Sequence, residues 1–194
     1  MMKKPLALLA ALLLAAALLC TAAAEEAALP ERGYSNADDF NYEAGNFEAV
    51  TFDGSVRAKI YVTAYWTADE TAPAGYGIWI RENPEIAIPE EEGAAAMNLV
   101  CRLMDPAELN GEATAEGAAK LLDALNSEAG LEYGYDLCTV NGIKTLMYWS
   151  GDKYTVGAYC ELPEGLLNIS IDGITNEDLE NEAVITLCSL IAEE

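Results

Sequence analysis

Histidine is absent from this chain of 194 residues. Chemistry that relies on an imidazole is therefore closed to it: no Ser-His or Cys-His nucleophile, and no imidazole-held metal. A Ser-Lys dyad survives that exclusion. Ser150 with Lys153 and Ser55 with Lys59 have the spacing, but both serines fall at strand ends or turns, where a hydroxyl serves the backbone. Cysteines stand at Cys20, Cys101, Cys138, Cys160 and Cys188, with no CxxC or other short spacing that would suggest zinc. In an exported chain the last four permit two disulfides in any of three connectivities. The alternative is that they pack as small buried hydrophobes.

Carboxylates dominate the charge. There are 33 acidic and 10 basic residues, a formal net charge of −23. A polyanion repels nucleic acid before contact, so no nucleic-acid partner is expected. Asp38-Asp39, Asp69-Glu70 and the run Glu90, Glu91, Glu92 could offer oxygens to calcium. None has the spacing of a calcium-binding helix-loop-helix, and a solvated acidic surface describes them better. Glycoside hydrolysis needs two carboxylates placed in a cleft, and no spacing here marks such a pair. No cofactor is expected.

The scarce basic residues fall among tyrosines. Arg57, Lys59, Tyr61 and Tyr65 share one parity of a predicted strand. Lys144, Tyr148, Lys153 and Tyr159 share the face opposite the predicted core of a second group of strands, together with Leu146. If both groups lie in one sheet, an aromatic, locally positive surface results. It would suit an acidic or sugar-like ligand or a partner peptide. The competing expectation is an ordinary second sheet face, covered by a helix, with the tyrosines as amphipathic packing.

The elements that must position these residues follow from periodicity. Val56, Ala58, Ile60, Val62, Ala64 and Trp66 alternate with polar or aromatic residues, which predicts one long half-buried strand. Tyr76 to Arg81 and Ala95 to Met104 read as further strands. Ala115, Ala118, Leu122, Leu125 and Ala129 recur at helical spacing, predicting a helix over 113–129 that Gly130 ends. Asn141-Gly142, Gly151-Asp152 and Pro163-Glu164-Gly165 then punctuate four strands, 131–140, 143–150, 153–162 and 166–172, an antiparallel meander.

Two-residue loops would pair Val140 with Ile143 and Cys138 with Thr145, then Ile143 with Cys160 and Thr145 with Ala158. The core face then holds Cys138, Val140, Ile143, Met147, Trp149, Tyr154, Val156, Ala158, Cys160 and Leu162. Continuing it through Leu167, Ile169 and Ile171 requires a four-residue last turn or a bulge. Cys138 and Cys160 lie two strands apart, about 10 Å, beyond the reach of a direct bond. Cys188, on the face of a terminal helix over 176–192, could reach either. Thr175 or Asn176 caps that helix, and Glu177, Asp178 and Glu180 suit its positive end.

The N-terminus reads as an export signal over residues 1–24. Lys3 and Lys4 precede the Leu/Ala run Leu6–Leu19, and Ala22 and Ala24 have the cleavage spacing. The run is too short to span a bilayer comfortably. Cys20 could accept a lipid and tether the chain to a membrane, but Leu19 stands where a lipoprotein signal has a small residue. Residues 25–45 are expected to form an acidic flexible arm, and 46–194 a single α/β domain.

From Ala113 onward the order is helix, strand, "VNGIKTLMYWSGDKYTVGAYCEL", "LLNISIDGI", then a terminal helix ending "ITLCSLIAEE". This resembles the Mog1/PsbP-like fold, nearest to small exported bacterial domains of that kind. The resemblance covers about 80 residues and includes no catalytic motif. It implies an α+β sandwich, an antiparallel sheet packed with two main helices, in an accessory or binding role. The expected function is thus an exported, non-enzymatic binding module of the cell envelope or extracellular space, for a protein or small-molecule ligand. Two alternatives are a cation-binding acidic surface protein and a carboxylate-pair hydrolase.

Overall fold

A computed structural model describes residues 28–33, 45–52, 55–81 and 97–192. The proposed signal, Cys20, Asp38-Asp39 and Glu90, Glu91 and Glu92 lie outside the described residues. The fold is α+β, with ten strands and two α-helices among the described residues. Seven strands form one antiparallel sheet in the order β3-β4-β5-β9-β8-β7-β6. They are β3 (Trp66–Ala68), β4 (Tyr76–Arg81), β5 (Met97–Leu103), β6 (Tyr133–Val140), β7 (Ile143–Ser150), β8 (Thr155–Leu162) and β9 (Gly165–Asp172). A smaller antiparallel sheet has the order β1-β2-β10, from β1 (Gly45–Phe52), β2 (Ser55–Thr63) and β10 (Ile191–Ala192).

Helix α1 (Ala115–Glu128) covers one face of the large sheet. It begins where the Thr114 side chain accepts the Gly117 N–H, satisfying one of the first-turn donors. Beneath its Ala115, Ala118 and Leu122 lie Leu146, Tyr148, Tyr159 and Leu166. Helix α2 (Glu177–Cys188) and the small sheet share the other face. Asn176 caps α2 through the Leu179 N–H at 3.0 Å. Ala58, Ile60 and Val62 of β2, with Leu179, Ala183 and Leu187 of α2, pack on Leu99, Cys101, Val156, Ala158, Ile169 and Ile171. Branched and aromatic residues favour strands in these segments, and the apolar faces on both sides of the large sheet are covered and exclude water.

Several expectations are corrected. The predicted long strand breaks at Ala64 and Tyr65, so β2 and β3 belong to different sheets. Val140↔Ile143 and Cys138↔Thr145 pair as expected, but the next hairpin pairs Thr145 with Cys160 and Met147 with Ala158. Its loop spans Gly151–Tyr154, and Tyr154 is an exposed loop residue, off the core face. The last turn is neither four residues long nor bulged: Leu162 pairs with Gly165 across Pro163 and Glu164. Gly165, at φ +144°, supplies the backbone angle that a side chain would resist. The terminal helix stops at Cys188, and Ile191–Ala192 pair with β2 instead.

The expected flexible arm is anchored at residues 30–33. Thr139 donates its N–H to Pro30 (2.9 Å) and accepts one from Arg32 (2.8 Å), a parallel bridge on the outer edge of β6. The Glu31 carboxylate accepts from the amides of Gly33, Asn141 and Gly142 at 2.7, 2.8 and 3.2 Å. Alone in solution this segment has no reason to order; four backbone groups presented by β6 and its turn give it one.

Candidate functional site

The expected tyrosine-lysine surface does not assemble. Tyr148 and Tyr159 are each 7% exposed, beneath α1. Their rings lie 5.2 Å apart, and Asn168 reaches the Tyr148 hydroxyl at 3.3 Å. Burial drives both phenol pKa values up. Lys144 pairs with Glu116 of α1 and lies 3.8 Å from Glu161. That ion pair tethers the helix across the same face. Arg57, Lys59 and Tyr61 are on β2 in the small sheet, the Arg57 side chain lying outside what is described. Lys59 is exposed, whereas Tyr61 is buried and its N–H donates to Ser189 at 2.7 Å. Tyr65 stands at the corner between sheets with the Arg81 guanidinium 4.9 Å from its ring centre. Lys153 bonds Glu180 of α2 at 2.9 Å, which raises the ammonium pKa.

That last ion pair marks a site the sequence reading did not assemble, although it placed Met147, Trp149 and Val156 on one face. Between α2 and the β7–β8 strands lies a groove of about 350 Å³. Met147, Trp149 and Val156 form its floor, Val184 and Leu187 its wall, and Arg32, Lys153 and Glu180 its mouth. Trp149 is held flat by its cross-strand neighbour: at Gly134 a β-carbon would come within 2.5 Å of the indole. Lys153 is held by the β7–β8 turn with φ +59°, a left-handed conformation uncommon for a lysine. Arg32 reaches the mouth because Glu31 fixes the strap beside β6. A second, more polar cavity of about 470 Å³ adjoins the groove and shares Lys153 and Glu180 with it. Apolar walls with a few convergent charged groups are the usual make-up of a small-molecule site.

The remaining candidate chemistry among the described side chains, which do not include Ser55, is absorbed by structure. Ser150 donates to Asp152 at 2.6 Å and accepts the Thr155 N–H, closing the turn, while Lys153 points to Glu180. Asp69 accepts the amide and hydroxyl of Thr71, a local turn, which lowers its pKa. All four described cysteines are free and buried. Burial pushes the Cys160 thiol up to about 12 and the Cys188 thiol up to about 11. Among the described residues no group of three or more acids and cysteines could hold a metal, and no helix is long and apolar enough to cross a membrane.

One buried charge cluster stands apart. Glu182 of α2 accepts from the Thr63 hydroxyl (2.7 Å), the Trp66 indole (2.9 Å) and Arg81 Nε (3.1 Å). A second Arg81 nitrogen meets its other oxygen at 2.9 Å, and both side chains are under 10% exposed. The cluster ties α2, β2, β3 and β4 together at the corner where the chain changes sheets. The geometry thus defines a class, an α+β domain with a grooved helix-sheet interface. No known family model matches the chain, and no curated protein matches it either.

Proposed function

We propose that this protein is a non-enzymatic binding module that takes a small, largely apolar ligand in the groove between α2 and β7–β8. The observation that carries this reading is the groove itself, an indole floor with aliphatic walls and a charged mouth. It replaces the tyrosine-lysine surface as the binding site while keeping Lys153. Export to the cell envelope or beyond is part of the proposal, supported by the signal-like residues 1–24. So is kinship with the Mog1/PsbP-like group, supported by the succession of helix, four-stranded meander and helix.

The test is a titration with 1-anilinonaphthalene-8-sulfonate, an aromatic anion, followed by energy transfer from tryptophan. One saturable site is expected. Val184→Trp, which fills the groove from the α2 side, abolishes it, while Lys59→Glu on the small sheet leaves it intact. Binding that survives Val184→Trp unchanged would place the site elsewhere.

A further inference from the structure

We propose that the outer edge of β6, centred on Asp136, receives an extended basic segment of a partner polypeptide by strand addition. β6 is the last strand of the large sheet. Val140 and Ile143 close a two-residue loop, so Gly134, Asp136, Cys138 and Val140 bond inward to β7. Tyr133, Tyr135, Leu137 and Thr139 therefore aim their backbone groups outward.

Both ends of that outward row are occupied. The Asn126 side chain, in the last turn of α1, accepts the Tyr133 N–H (2.7 Å) and donates to its carbonyl (2.9 Å), imitating a peptide group. At the other end the strap pairs with Thr139. The strap cannot complete the next rung, because Pro30 has no N–H to give the Leu137 carbonyl. The outward groups of Tyr135 and Leu137 are left with no hydrogen-bond partner among the described residues. Unpaired strand edges of this kind are templates for another chain.

Charge selects the occupant. Between the two open rungs sits Asp136, its side chain 54% exposed on the α2 side of the sheet, while Asp123 accepts the Tyr135 hydroxyl on the α1 side. Arg32 offsets Asp136 only through an exposed contact of 3.4 Å. A second copy of this chain is disfavoured. Antiparallel self-pairing that used both rungs would put its twofold axis at Asp136, setting two carboxylates directly opposite each other. A partner strand with lysine or arginine at that position meets the carboxylate instead, and the chain's net charge of −23 favours its approach.

The test uses the full folded chain and an end-blocked heptapeptide of alternating threonine and valine with a central lysine. Amide exchange at Tyr135 and Leu137 is read by NMR, and self-association by sedimentation. The lysine peptide is expected to slow both amides at least tenfold. A central-glutamate peptide binds at least tenfold more weakly, and Asp136→Lys, an exposed change, reverses the preference. Three results would overturn the proposal: no protection at these amides, equal binding of a peptide N-methylated on its pairing edge, or self-association through β6.

Discussion

Trp149 of β7 lies flat over Gly134 of β6, and one residue earlier Tyr148 lies over Gly157 of β8 on the opposite face. Each ring occupies the space a side chain would take on the neighbouring strand. The two glycines differ in what surrounds them. A β-carbon at Gly134 meets only the indole within 2.7 Å, whereas at Gly157 it also meets the Ile169 carbonyl at 2.6 Å. Gly157→Ala is therefore expected to destabilise by about 1–3 kcal/mol, and Gly134→Ala by less, because a half-buried ring can yield where backbone cannot. Urea titration measures both. Gly134→Ala should also shift the tryptophan emission and weaken groove binding, since it lifts the floor.

The Glu182–Arg81 pair predicts an asymmetry between single and double substitutions. Glu182→Leu leaves a buried guanidinium without its anion and should cost about 3–5 kcal/mol. Combining it with Arg81→Met removes both charges and should recover most of that loss. A double variant as unstable as the single one would show that the cluster stabilises through packing alone.

Alkaline pH should weaken the fold through its thiols. Burial raises the pKa of Cys101, Cys138, Cys160 and Cys188, with Cys160 up to about 12 and Cys188 up to about 11. Between the ordinary thiol value near 9 and these raised values the unfolded chain releases protons that the native one keeps. Stability is thus full below about pH 9 and falls as pH rises toward 12, by up to about 1.4 kcal/mol per pH unit for each thiol. Denaturation curves at pH 8 and pH 10.5 give the slope. In parallel, iodoacetamide at pH 8 should leave the native core thiols untouched and label them in urea.

Acid acts on the strap. Burial alone would raise the Glu31 pKa, but the Thr139 hydroxyl and the amides of Gly33, Asn141 and Gly142 together hold it below the ordinary carboxylate value. Its anchoring is complete above that ordinary value and is lost as pH falls through the lowered one. Amide exchange at Asn141 and Gly142 should accelerate in that window. Glu31→Gln should produce the same acceleration at neutral pH, and unchanged exchange in that variant would rule out the carboxylate as the anchor.

The meander was legible because Asn141-Gly142, Gly151-Asp152 and Pro163-Glu164-Gly165 punctuate it, and Gly130 marked the end of the helix over 113–129. The corner at Ala64 and Tyr65 was not. Ala64 and Trp66 continue the parity of Val56 to Val62, so nothing in the period reports that the chain changes sheets. The second hairpin was misplaced for a related reason. Loops of two and four residues both preserve parity, so the correct core face follows from either register. Leu146 among the lysines and tyrosines was the available signal that α1 covers that face. The groove left no local trace, since Trp149 and Val184 meet only through the packing of α2 on the sheet.

The pairing of β10 with β2 sets the order in which this chain can finish folding. Lys59 stands between Ala49 on one side and Ile191 on the other, so the middle strand of the small sheet gains its second neighbour only from residues made long after it. Until then β2 remains an edge, and closing the connection means bringing together segments from nearly opposite ends of the domain. Such distant contacts slow the final step and leave a partly finished chain prone to sticking to its own kind. A chain lacking Ile191 and Ala192 would carry that vulnerability permanently.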